Sequence, residues 1–301
     1  MNRARRFPLF VLALWVGLAP RPVHTETRAI PDDLPKNDPD RIFRLELDSR
    51  AMGKVMPYIV KLPRGRFKRG PFPSVYLLHG WQGDENQMLR VNVGLATKHR
   101  LILVQPSMEG EGGWFDSTRD PRRKYISMLL DEIVPAVEAK FPVIRERARR
   151  AVTGFSMGGQ GALRAVIRRP DLFAVVGATS GIFDLTRHGG AYGMKAMLGP
   201  PTNFRAYRRL SVAYGLDHRL PGIQRRMPLR IFLECPTEDL AFEDSRILAA
   251  RLRALGVRFD ADLTHPGKHS REYYATRIDG HLAWIARQFA SLPREVADTP
   301  N

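Results

Sequence analysis

The chain carries a single cysteine, Cys235, among its 301 residues. No intrachain disulfide can brace it, so the fold must stand on its hydrophobic core. It lacks any cluster of His, Cys, Asp and Glu at metal-ligand spacing, and neither a metal nor an organic cofactor is expected. Long apolar runs are also missing: the longest, Leu9 to Ala19, is too short to span a bilayer, and no cysteine lies near it to take a lipid. No stable membrane anchor is therefore expected. Internal repeats and low-complexity tracts are absent. The formal net charge is +17, yet no compact basic motif accompanies it; arginine outnumbers lysine and is spread along the whole chain. That distribution argues against nucleic acid as a partner.

What is present begins with an export signature. Arg3, Arg5 and Arg6 form a basic region ahead of the apolar Leu9 to Ala19, so residues 1–29 read as a signal peptide, with cleavage before Glu26 or Ile30. The mature protein is expected to be secreted or periplasmic, with a net charge of about +13 once four leader arginines are gone. Residues 30–40 read as a flexible leader, 41–292 as one domain and 293–301 as a tail.

Within the domain, hydrophobic periodicity alternates between strand and helix. Phe43, Leu45 and Leu47 alternate with polar residues, Met52-Gly53 turns, and Val55 to Leu62 returns, which predicts a hairpin whose Pro57 suits an edge strand. Ser74 to Leu78 reads as a buried strand that runs into His79-Gly80-Trp81-Gln82-Gly83. A helix is predicted over Glu85 to Lys98 and a strand over Leu101 to Val104. The glycine-rich Glu109 to Gly113 then leads to Trp114-Phe115-Asp116. Tyr125 to Phe141 has an apolar face at helical spacing. Later strands are predicted at Phe173 to Thr179, Leu229 to Glu234 and Val257 to Leu263, and helices at Asp244 to Leu255 and Glu272 to Leu292. Residues 183–228 have weak periodicity and read as a lid-like insertion, whose arginines (Arg205, Arg208, Arg209, Arg219) either face an acidic substrate or are solvated. The pattern is that of an α/β protein: a mostly parallel central sheet, helices on both faces and an antiparallel N-terminal hairpin.

The chemistry centres on Ala151-Val152-Thr153-Gly154-Phe155-Ser156-Met157-Gly158-Gly159. An apolar strand turns sharply through a serine into a helix, a G-x-S-x-G elbow that makes Ser156 a candidate nucleophile. The Met157 N–H, at the helix N-terminus, would face a developing oxyanion, and the Trp81 N–H, after Gly80, is the second candidate donor. Trp114 and Phe115 are candidate pocket walls at the carboxyl edge of the sheet. A serine needs a base, and the base an acid to orient it. Asp239 follows the strand ending at Glu234 and is the leading acid, with Glu238 as fallback and Asp184 a remote third, better read as a cap. Glu243 and Asp244 look like first-turn helix charges. Among downstream histidines, His269 is favoured over His265, and His281 reads as a packed or surface residue of the last helix.

The hairpin from Leu47 to Pro63, the Leu77-Leu78-His79-Gly80 loop, Trp114-Phe115-Asp116, the elbow and Gly267-Lys268-His269 together resemble the esterase D family. The resemblance covers nearly the whole mature chain. It implies an α/β-hydrolase fold, with Ser156 as nucleophile, His269 as base and Asp239 as acid. It also implies an ester substrate, small or linked to a polysaccharide. Two departures stand out: Cys235-Pro236-Thr237-Glu238-Asp239 where relatives usually read Cys-Gly-x-x-Asp, and Ser270-Arg271-Glu272 ahead of Tyr273 where an aromatic residue often follows the histidine loop directly. An acyltransferase or peptidase would use the same triad, and a binding module would retain the fold without the chemistry.

Overall fold

The computed structural model describes residues 38–64, 70–108 and 112–293. The predicted signal peptide, most of the leader, three residues of the glycine-rich loop and nearly all of the tail lie outside them. One eight-stranded sheet runs through the molecule: β1 (Arg41–Ser49), β2 (Lys54–Leu62), β3 (Ser74–Leu78), β4 (Ile102–Pro106), β5 (Arg150–Phe155), β6 (Val175–Thr179), β7 (Arg230–Glu234) and β8 (Asp260–Asp262). Their order across the sheet is β1-β2-β4-β3-β5-β6-β7-β8. β1 pairs antiparallel with β2, and β2 antiparallel with β4; all remaining pairs are parallel. β3, β4, β5 and β6 are buried along their whole length. This is why they read as continuous apolar runs, covered by helices on both faces.

The hairpin forms as predicted, but β2 is not an edge. Pro57 is tolerated because it sits one residue outside the β2–β4 pairing, where its carbonyl accepts the Ser107 N–H at 3.2 Å. The helix predicted over Glu85 to Lys98 is replaced by a chain of turns that ends in the short helix α1 (Leu95–His99). Asp84 captures the N–H groups of Asn86 and Gln87, and Gly94 turns left-handed at φ 70°, so local side-chain bonds outcompete a continuous helix. The next helix, α2 (residues 125–140), forms with a π-type middle turn over Met128–Ile133, in which the Val134 N–H reaches back to Leu129. That wider turn accommodates Pro135, which has no N–H to donate. The last predicted strand shrinks to the three residues of β8.

Helix α3 (Met157–Arg168) is buried on nearly every side, between the sheet and residues 183–228. The insertion folds into α4 (Met194–Leu198), α5 (Phe204–Leu210) and α6 (Leu220–Arg226), joined by irregular turns. Arg164 and Gln160 of α3 both donate to the Leu210 carbonyl, which ties the insertion down. Helices α7 (Phe242–Ala254) and α8 (Arg271–Ser291) complete the fold. Among the described residues no helix is long and apolar enough to cross a membrane.

Candidate active site

The strand-to-helix turn after β5 holds Ser156 at φ 58°, ψ −121°, a conformation that costs a non-glycine residue energy and persists only when its surroundings enforce it. Those surroundings are visible. A Cβ added at Gly158 would lie 2.0 Å from the Leu78 carbonyl oxygen, and one at Gly154 would lie 2.5 Å from the Gly158 backbone. Both positions must be glycine for β3, β5 and α3 to meet this closely. The Ser156 N–H is fixed to the Thr179 carbonyl at 2.9 Å.

The candidate acid and base arrive on the loops after β7 and β8. His269 Nε2 lies 3.0 Å from Ser156 Oγ, and His269 Nδ1 lies 2.8 Å from Asp239 Oδ1. Asp239 is buried, while Glu238 is exposed and lends only its backbone N–H, to the Gly267 carbonyl. The alternatives disperse as well. His265 is exposed and bonded to Asp262, and Asp184 caps a turn by accepting from Thr186. His281 is buried and bonded to Glu234. Asp244 does more than favour a helix dipole: it is buried, and it accepts from the Asp184 N–H and faces His188 Nε2 at 3.1 Å.

On the other side of Ser156 stands the loop after β3. A Cβ at Gly80 would come within 3.2 Å of the Ser156 Cβ, so this backbone passes directly over the serine. His79 sets its orientation. Its Nε2 accepts the Met108 N–H at 2.8 Å, which leaves the hydrogen on Nδ1 to donate to the Gly80 carbonyl at 2.7 Å. Complete burial lowers the His79 pKa to about 4 and keeps the ring neutral. Because a trans peptide places N–H opposite C=O, holding the Gly80 carbonyl also fixes the Trp81 N–H. Met157, the first residue of α3, has an N–H with no partner inside the helix.

Trp114 and Phe115 do not wall an open pocket. Both are wholly buried; the Trp114 indole donates to the His79 carbonyl at 2.9 Å, and Gly161 of α3 packs on its side chain. They were expected at the surface of the site because their loop ends at the right sheet edge, but the hydrophobic gain of burying two large rings draws them beneath it. The exposed aromatic is Trp81, which meets Tyr192 of the insertion edge-on at 5.7 Å between ring centres. Tyr192 was missed because nothing in its local sequence distinguishes it from other insertion aromatics.

A strained serine on an elbow, followed in chain order by a buried aspartate and a histidine that bridges the two, on a sheet of this strand order, defines the α/β-hydrolase class. The family model described as Putative esterase matches residues 49–285, most of the chain, and the protein belongs to that family. It is a carboxylic ester hydrolase. It is similar to an acetyl esterase of Caldicellulosiruptor saccharolyticus, with 22% identity over 269 residues, covering 84% of this chain and 91% of the relative. Among solved structures, a ferulic acid esterase superposes with a TM-score of 0.70 at 24% identity, covering 84% of this chain and 100% of the other. The Staphylococcus aureus fluorophosphonate-binding serine hydrolase FphF also scores 0.70, at 20% identity and 82% and 99% coverage. At these identities the solved structures speak for the fold alone.

Proposed function

We propose that the protein is a secreted or periplasmic serine esterase that works through an acyl-enzyme. The observation that carries this reading is the unbroken line from Asp239 through His269 to Ser156, with contacts of 2.8 and 3.0 Å. Ser156 attacks the ester carbonyl as His269 takes its proton, and the N–H groups of Met157 and Trp81 stabilise the oxyanion. His269 returns the proton to the leaving alcohol; water, activated by the same base, then releases the acid. Asp239 holds the imidazole with Nε2 toward the serine and stabilises the imidazolium. The insertion, leaning on Trp81 through Tyr192, forms one side of the acyl-binding region. Short-chain and polysaccharide-linked acyl groups are the substrate classes to test first, given the names of the relatives and the export signature.

The decisive experiment is labelling of the purified protein with a fluorophosphonate, followed by mass mapping. A stoichiometric adduct on Ser156, abolished in Ser156→Ala and strongly slowed in His269→Ala, is the expected result. A folded protein that takes no label would overturn the assignment.

A further inference from the structure

A cavity of about 320 Å³ opens between the turn that follows Gly80 and the start of α8. Its walls include Gln82, Asp84, Gln87, Arg90 and Arg271. Both flanks adjoin the candidate site along the chain. On one side Gln82 follows Trp81, in a turn closed by the Gly83 N–H on the Gly80 carbonyl at 3.2 Å. On the other, Arg271 comes two residues after His269.

The lining is polar. Arg271 is cationic, and the lining carboxylate, Asp84, accepts the N–H groups of Asn86 and Gln87. Arg271 is exposed and no carboxylate among the described residues forms an ion pair with it. It also sits at the first position of a 21-residue helix, where a positive charge is disfavoured by the helix dipole. A guanidinium placed against that field and facing a cavity, with the charge of the adjacent Glu272 near it but no ion pair at contact distance, gains from an anion brought by a ligand, since its planar fork matches a carboxylate. The leaving alcohol is the substrate part that must lie nearest the base, because His269 delivers the proton to it.

We propose that this cavity is a leaving-group subsite for esters whose alcohol portion carries a carboxylate, held by Arg271. The proposal rests on the serine-esterase reading above and names its substrate class. The subsite changes no bond itself. It binds the anionic end of the alcohol so that the ester carbonyl lies against Ser156, and it releases the free hydroxy acid after acylation.

The test compares 4-acetoxybenzoate, whose alcohol portion is anionic, with its neutral methyl ester, in wild type, Arg271→Gln and Arg145→Gln. Arg145 is an exposed arginine just ahead of β5, at the opposite edge of the sheet, and controls for net charge. Wild type and Arg145→Gln are expected to favour the anionic ester in kcat/KM by about tenfold at low salt, mainly through KM, with the preference shrinking as ionic strength rises. Arg271→Gln is expected to bring the ratio near unity while turnover of the neutral ester stays within about twofold. Equal ratios in wild type and Arg271→Gln would overturn the subsite. Fluorophosphonate labelling of the same preparations separates the two levels: label on Ser156 with no charge preference removes the subsite alone, whereas no label removes both readings.

Discussion

Ser156 is held in a backbone conformation that only a surrounding lattice of close contacts can maintain, so the proposed nucleophile would be positioned before substrate arrives. Ser156→Ala is expected to lower kcat by a factor on the order of 10⁶, and Asp239→Asn by about 10⁴, because the triad acts as a unit and the amide would favour the wrong imidazole tautomer. Thermal unfolding should be little changed in the serine variant; initial rates on a 4-nitrophenyl ester read the losses. His79 carries the second residue-scale expectation. Its folded pKa of about 4 lies below the ordinary 6.5, so the unfolded chain binds its proton first as the solution is acidified. The stability from the neutral ring is complete above pH 6.5 and is lost as the pH falls through about 4, a loss on the order of 3 kcal/mol. Urea unfolding between pH 7 and pH 4 should therefore show a flatter profile in His79→Gln than in wild type. The elbow and the two side chains that meet Ser156 in line, Asp239 and His269, could be singled out from the sequence, since each lies on a short loop whose pattern is local. The tautomer of His79 could not, because it depends on Met108, 29 residues away.

The last helix organises the two loops that carry the proposed acid and base. Glu234, at the end of β7, is buried and receives Arg277, His281 and Tyr273, all from α8, with the tyrosine hydroxyl at 3.0 Å. Arg277 also binds Asp262 of β8 at 2.9 Å, and Gly267 of the histidine loop packs so closely on Tyr273 that a Cβ there would lie 2.7 Å from the ring. Burial alone would raise the Glu234 pKa, but bonds and charges from His281 and Arg277 hold it below 4.5. A depressed carboxylate contributes stability that is present above its unfolded pKa of 4.5 and is lost as the pH falls through the folded value. The difference in urea midpoint between wild type and Glu234→Gln should thus be large at pH 7 and shrink markedly by pH 3. A gap unchanged with pH would mean that shape, not charge, holds this junction. Helix α8 itself was readable from periodicity. The cluster was not, because Glu234 reads as an ordinary strand terminus and His281 as an ordinary helix histidine until the fold brings them together. The opposite failure occurred over Glu85 to Lys98, where apolar spacing suggested a helix and the caps of Asp84 and Gly94 prevailed.

Across the whole molecule, the sheet divides the work between its two edges. The proposed reacting groups lie on loops beyond the carboxyl ends of β3, β5, β7 and β8. At the amino edge Lys61 is wholly buried and reaches Asp38 at 2.6 Å, Asp40 at 3.1 Å and both oxygens of Asn92. Asp38 and Asp40 in turn accept N–H groups of Gly94, Ala96 and Thr97, so the entry of the chain is fastened to β2 and α1. Removing both carboxylates, as in Asp38→Asn with Asp40→Asn, leaves a buried ammonium without counter-charge and should destabilise the fold by about 3–5 kcal/mol, read by thermal unfolding. A double variant as stable as wild type would show that Asn92 and the new amides suffice. The alternation of strands and helices told the architecture in advance, because it depends only on local periodicity. This fastening joins segments read as a flexible leader and an edge strand, and no local pattern announces it. It also sets the geometry of attachment. Whatever is joined upstream of Asp38, a cell-surface tether, a second catalytic module or the resin of an immobilised preparation, enters at the face opposite Ser156 and leaves the working edge turned outward toward bulky or insoluble material.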